Sequence, residues 1–124
     1  MQKLAIISGA LLSALGVAIG AFGAHGLKAT LTINERLETF ETGVKYHMYH
    51  ALGLILLGIL LQYFPHKYIS AAVWFFIAGI IIFSGSLYTL SITNIRILGA
   101  ITPLGGVAFI IGWVLLALGI YKYQ

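Results

Sequence analysis

Four apolar runs of about twenty residues each divide this chain, and they constrain its fold more than any other feature. They extend from about Leu4 to Gly23, Val44 to Tyr63, Tyr68 to Ser91 and Leu98 to Tyr121. A helix rises about 1.5 Å per residue, so each run reaches roughly 30 Å, the thickness of the hydrocarbon core of a bilayer. In hydrocarbon every backbone polar group must be bonded internally, and a helix does this within one segment. Charged residues make up only 8% of the chain, whereas soluble domains carry about 25%. The fold class expected is all-α: a polytopic membrane protein with residues 1–124 as a single integral domain and four transmembrane helices in an up-down bundle. A secretory signal peptide is the rival reading of the first run. Lys3 is a weak n-region, Ala21-Phe22-Gly23-Ala24 is a poor cleavage site, and three more spans follow, so a retained span is favoured.

The segment between the first two runs holds all three acidic residues, Glu35, Glu38 and Glu41. Thr32-Ile33-Asn34-Glu35 reads as a capping box that starts a short interfacial amphipathic helix running into the second span. Glu41 and Lys45 form an i,i+4 pair in the favourable order. Pro65-His66-Lys67 makes the second connection and Thr93-Asn94-Ile95-Arg96 the third. The fourth span starts near Leu98 with a kink at Pro103, or at Thr102-Pro103 as N-cap and first helical residue. Small residues mark faces for close helix packing: Gly16 and Gly20 as a GxxxG pair, Gly53, Gly85 in a seven-residue series with Ala71 and Ala78, and Gly105, Gly112 and Gly119 in another.

The net charge of +4 would suggest nucleic acid in a soluble protein, but here Lys and Arg sit at the ends of the runs. No basic stripe with interleaved aromatics exists, so no nucleic-acid partner is expected. The absence of Cys excludes disulfides and thiolate chemistry. Lys3, Lys67 and Lys122 lie on the side of the termini, against Lys28, Arg36, Lys45 and Arg96 on the other. The count of three against four is near balance. The α-amino group and the lack of acids on the terminal side favour both termini in the cytoplasm.

Up-down topology gathers the unusual polar residues into the half of the membrane opposite the termini. His25 ends span one, His47 and His50 lie early in span two, Ser84, Ser86 and Tyr88 lie late in span three, and Thr102 opens span four. On a helical wheel Gly43, Tyr46, His50 and Gly53 share one side of span two, expected to face the bundle, and His47 falls at its edge. The candidate intramembrane cluster is therefore His25, Tyr46, His50, Ser84, Ser86, Tyr88 and Thr102. Three readings compete. The cluster can be polar glue between helices. It can line a path for protons or a small solute, although no Asp or Glu lies inside a span. It can bind a metal through His25, His47 and His50, although no HExxH motif is present. A hydrolase would need a nucleophile with an oriented base, and Gly85-Ser86 alone does not supply one.

Several motifs occur in order: Gly20-Ala21-Phe22-Gly23-Ala24-His25-Gly26-Leu27, Thr42-Gly43 leading to Tyr46, Met48-Tyr49-His50-Ala51-Leu52, Phe83-Ser84-Gly85-Ser86-Leu87-Tyr88, Gly99-Ala100-Ile101-Thr102-Pro103-Leu104-Gly105-Gly106, and Gly112-Trp113. Together they resemble the bacterial family of small inner-membrane proteins called domain of unknown function 423, related to animal transmembrane protein 256. The resemblance spans nearly the whole chain. It implies a multi-pass plasma-membrane protein without an established activity and carries over no catalytic residue. It also implies that His25, Tyr46, His50, Ser84, Ser86, Tyr88, Thr102 and Pro103 belong to the family pattern, with His47 less clearly part of it.

The function expected is non-enzymatic, with no cofactor and no metal. The protein would act by packing with itself, with a larger membrane partner or with lipid, in a stabilising or accessory role. A small channel or carrier subunit for protons, metal ions or a small polar solute, built on the His/Tyr/Ser cluster, is the alternative.

Overall fold

The computed structural model describes residues 1–124 and contains helices α1 (Gln2–His25), α2 (Lys28–Ile33), α3 (Leu37–Tyr63), α4 (Lys67–Thr93) and α5 (Leu98–Lys122). All but α2 are long and apolar enough to cross a membrane. They stand in a row: α1 packs on α3, α3 on α4, and α4 on α5. The two inner helices hold most of the buried core, including Leu54, Leu57, Ile69, Val73 and Phe76. The outer helices turn most of their Leu, Ile and Val side chains outwards, as lipid-facing helices should.

The helix between the first two spans is present, but it is shorter and earlier than the capping box implies. Thr32 lies inside α2, where its hydroxyl donates to the Lys28 carbonyl at 2.7 Å. Glu35 has left-handed backbone (φ 55°), and α3 begins at Leu37 with Arg36 as its N-cap. Tertiary bonds outcompete the local box. The Asn34 amide donates to the Ser91 and Ile92 carbonyls at 3.0 and 3.1 Å, and Arg36 Nε donates to Asn94 Oδ1 at 3.2 Å. These ties clasp the α2–α3 turn to the end of α4. α3 runs from Leu37 to Tyr63, so His50 falls at the middle of its length.

Two glycine seams set the spacing of the row. On α1, Gly9, Gly16 and Gly23 recur every seven residues and all are buried. A Cβ on Gly9 would stand 2.7 Å from the Ala51 carbonyl oxygen of α3; one on Gly16 would strike Met48, and one on Gly23 would strike Phe40. Gly20, the other half of the expected GxxxG pair, is only half-buried and its Cβ would meet Val44 Cγ1 at 3.3 Å. On α5, Gly105, Gly112 and Gly119 receive Phe83, Phe76 and Ile69, which recur at the same interval along α4. Phe76 is fully buried, wedged between Gly53 and Gly112. Such holes let backbones approach where no hydrophobic driving force acts between helices.

Gly85 does not join a seam: a Cβ there would meet nothing within 4 Å. The reason is a π turn at Ile80–Ser84. Its extra residue rotates everything beyond it by about 100°, which breaks the register started by Ala71 and Ala78. In α5 the helix starts at Leu98 and Pro103 lies inside it, the first of the two starts weighed above.

Candidate functional site

The polar side chains inside the helical row form small separate networks rather than one pocket. His47 is 2% exposed and projects from α3 in register with buried Phe40, Leu54 and Leu61. Its imidazole fits against Gly16, whose absent side chain leaves room for the ring. Nε2 lies 2.7 Å from the Leu12 carbonyl oxygen of α1, and Nδ1 lies 2.8 Å from the Tyr88 hydroxyl of α4. A carbonyl only accepts, so Nε2–H donates to Leu12. A neutral ring then accepts the Tyr88 O–H at Nδ1. One residue thus joins three helices.

His50 is placed with the opposite tautomer. Nδ1 donates to the Tyr46 carbonyl one turn earlier, at 2.7 Å, and Nε2 accepts the indole N–H of Trp113 on α5 at 3.0 Å. Indole nitrogen only donates, which fixes Nε2 as an acceptor and the ring as neutral. The ring also stacks on Phe109, with centroids 3.5 Å apart and planes 10° from parallel, and it meets Phe76 edge-on at 5.0 Å.

The hydroxyl groups are used in the same way. Ser84, fully buried at the end of the π turn, donates to the Gly43 carbonyl of α3 at 2.7 Å. Thr102 of α5 meets Ser86 of α4 at 2.6 Å, and Ser86 donates on to the Phe83 carbonyl at 2.9 Å. The Thr102 hydroxyl also lies 3.3 Å from the Leu98 carbonyl one turn earlier on its own helix. Ser13 Oγ on α1 is the one buried side-chain polar atom without a partner.

Of the residues expected in one cluster, His25 lies apart: it is exposed at the end of α1. The three imidazoles His25, His47 and His50 do not converge, and no group of three His, Asp or Glu side chains is placed to hold a metal ion. Both ring nitrogens of His47 and of His50 are already engaged within the protein. Tyr46 contributes its carbonyl to His50, while its ring, 40% exposed, packs on Phe83 at 4.7 Å. His47, read at the edge of the wheel, sits instead at the centre of the α1–α3 seam. The legible signal was the seven-residue register it shares with Phe40, Leu54 and Leu61 opposite Gly9, Gly16 and Gly23. Trp113 was missed as a partner of His50. Its indole N–H within an apolar run requires an acceptor, and that was the available signal.

Residues 19–106 match the model of the family described as protein of unknown function (DUF423). The chain belongs to this family. Its DUF423 relatives are similar along their whole length. UPF0382 membrane protein YwdK of Bacillus subtilis is 51% identical over 123 residues, covering 98% of this chain and 99% of that protein. UPF0382 membrane protein SH2409 of Staphylococcus haemolyticus is 46% identical over 122 residues, covering 98% of each. UPF0382 membrane protein SSP2132 of Staphylococcus saprophyticus is 47% identical over 121 residues, covering 98% of this chain and 99% of that one. No solved structure matches the chain. The family description gives no function, and the relatives' names say that they are membrane proteins without naming an activity.

Proposed function

We propose that this DUF423 protein is a non-enzymatic component of the plasma membrane that acts by packing with a second copy, a larger membrane partner or lipid. Its intramembrane His, Tyr and Ser residues serve as interhelical glue. The observation that carries the reading is where the hydrogen-bond chains end. Tyr88 donates to His47, which donates to the Leu12 carbonyl; Trp113 donates to His50, which donates to the Tyr46 carbonyl. A backbone carbonyl has no proton to pass on, so each chain is a dead end for a relay. Both imidazoles also lack a free lone pair for a metal or solute. The polar groups hold one arrangement of helices, and the gain lies more in specificity than in stability.

The test is reconstitution in liposomes with a pH gradient. His50→Gln and His47→Gln are expected to leave proton flux at the level of protein-free vesicles, as the wild type does. A wild-type flux that a folded His50→Gln variant loses would establish the relay instead. Both termini are assigned to the cytoplasm on the α-amino group and the lack of acids at that end, the Lys and Arg being near balance between the two sides. Glu38→Cys should then react with an impermeant maleimide in intact cells. Reaction only after the membrane is breached would invert the orientation. Native mass spectrometry of gently extracted protein reads the partner: a homo-oligomer, an unrelated subunit or retained lipid.

A further inference from the structure

The terminal end of the row carries a feature that the histidine networks do not explain. Tyr68, in the first turn of α4, receives two ammonium groups on its ring. Lys67 Nζ lies 5.7 Å and Lys122 Nζ 5.3 Å from the ring centroid, although the two lysines belong to different helices. His66, Lys67, Tyr68, Tyr121, Lys122 and Gln124 together line an open hollow of about 660 Å³. His66 caps α4 by accepting the Tyr68 N–H at Nδ1, 3.1 Å away, which leaves its Nε2–H as a further donor. Lys67 also borders a second hollow of about 350 Å³, lined in part by Gln2, His66 and Ser70. No Asp or Glu occurs at this end; Glu35, Glu38 and Glu41 all lie beyond α1 at the other.

Two cations gathered over one ring repel each other, and the ring quadrupole offsets only part of that. Both lysines border the hollow, and an anion bound in it would offset their repulsion. The chemistry of the donors is that of a phosphate pocket: two ammonium groups, an imidazole N–H and tyrosine hydroxyls around an open depression. Its place at the helix ends narrows the source. The hollow lies at the first turn of α4 and the last turn of α5, the ends at which a spanning helix reaches the interface, and Tyr68 and Tyr121 line it as interfacial aromatics would.

We propose that this hollow binds the phosphate of an anionic phospholipid headgroup, with Lys67 and Lys122 as its charge-bearing residues. The proposal deepens the packing role above by naming the lipid class, but it rests on different residues from the histidine networks. Its failure would leave those networks untouched, and their failure would leave the hollow intact.

The experiment is lipid retention by the full chain, read by native mass spectrometry after equilibration with phosphatidylglycerol or phosphatidylcholine in mixed micelles. The wild type should hold phosphatidylglycerol in preference to phosphatidylcholine. K67Q with K122Q should weaken that retention by about thirtyfold, the factor expected for two cations near an anionic surface. K28Q with K45Q, which removes the same charge from the opposite end, should leave the preference close to that of the wild type, because neither lysine borders the hollow. Unchanged melting of K67Q/K122Q shows that the loss is not unfolding. If it melts early, the charge-retaining K67R/K122R pair decides instead, by keeping or losing the preference. Equal retention of both lipids by the wild type, or equal loss in both charge-removed pairs, overturns the proposal. So does displacement of the lipid by millimolar inorganic phosphate or glycerol phosphate, which would assign the hollow to a soluble anion.

Discussion

Replacing His47 by Ala tests the central joint of the row. The change removes the donor to the Leu12 carbonyl and the acceptor for the Tyr88 hydroxyl, two bonds of 2.7 and 2.8 Å that tie α1 and α4 to α3. Interhelical hydrogen bonds in membranes average about 0.6 kcal/mol and reach about 1.7, so the pair is worth roughly 1.2 kcal/mol. Truncating a side chain that is 2% exposed also leaves a void, at about 2 kcal/mol for the low end of large-to-small core changes. The expected loss is therefore about 3 kcal/mol. Tyr88→Phe removes one bond and leaves no void, for about 0.6 kcal/mol. Unfolding by SDS titration in mixed micelles, followed by the fluorescence of Trp74 and Trp113, measures both. In a double-mutant cycle the two changes should couple, because after His47→Ala the Tyr88 hydroxyl has already lost its partner. A His47→Ala variant within about 0.5 kcal/mol of wild type, or strict additivity within that margin, would refute the glue argument at this position.

Gly9→Ala should destabilise by about 1–3 kcal/mol, because its Cβ would stand 2.7 Å from the Ala51 carbonyl and 3.0 Å from the Ile55 nitrogen, backbone atoms that cannot swing away. Gly85→Ala, with nothing within 4 Å, should instead be neutral or stabilise by up to about 1 kcal/mol through helix propensity, and the same titration separates the two. Ser13→Ala removes the one unpartnered buried hydroxyl and should leave stability unchanged or raise it by up to about 1 kcal/mol, read as a shift in the SDS midpoint. Asn34→Ala breaks the clasp to Ser91 and Ile92. It should speed amide exchange across residues 26–37 while the exchange of α3 and α4 beyond the turn stays slow.

Much of the architecture was written in local composition. Runs long enough to cross hydrocarbon made four helices, and the series Gly105, Gly112 and Gly119 marked a real packing face on α5. Ser84, Ser86, Tyr88 and Thr102 were singled out with the histidines as one cluster; only Tyr88 meets a histidine, while Ser84 bonds the Gly43 carbonyl and Ser86 meets Thr102. Other elements depended on contacts distant in sequence. The start of α3 shifted because Asn34 and Arg36 found partners near residues 91–94. The series ending at Gly85 failed because one π turn rotated the helix beyond it.

The membrane class, the number of spans and the identity of the polar residues followed from the sequence by itself, since hydrocarbon imposes the same demand on every backbone group regardless of neighbours. Which polar residue meets which was decided only in the tertiary structure. His47 became the joint of three helices because Gly16 left room opposite it, and His50 became the partner of Trp113 because Phe76 and Phe109 held both rings in place. Helix–helix register depends on pairs of complementary surfaces, a knob from one segment and a hole from another. A single segment carries only one half of each pair.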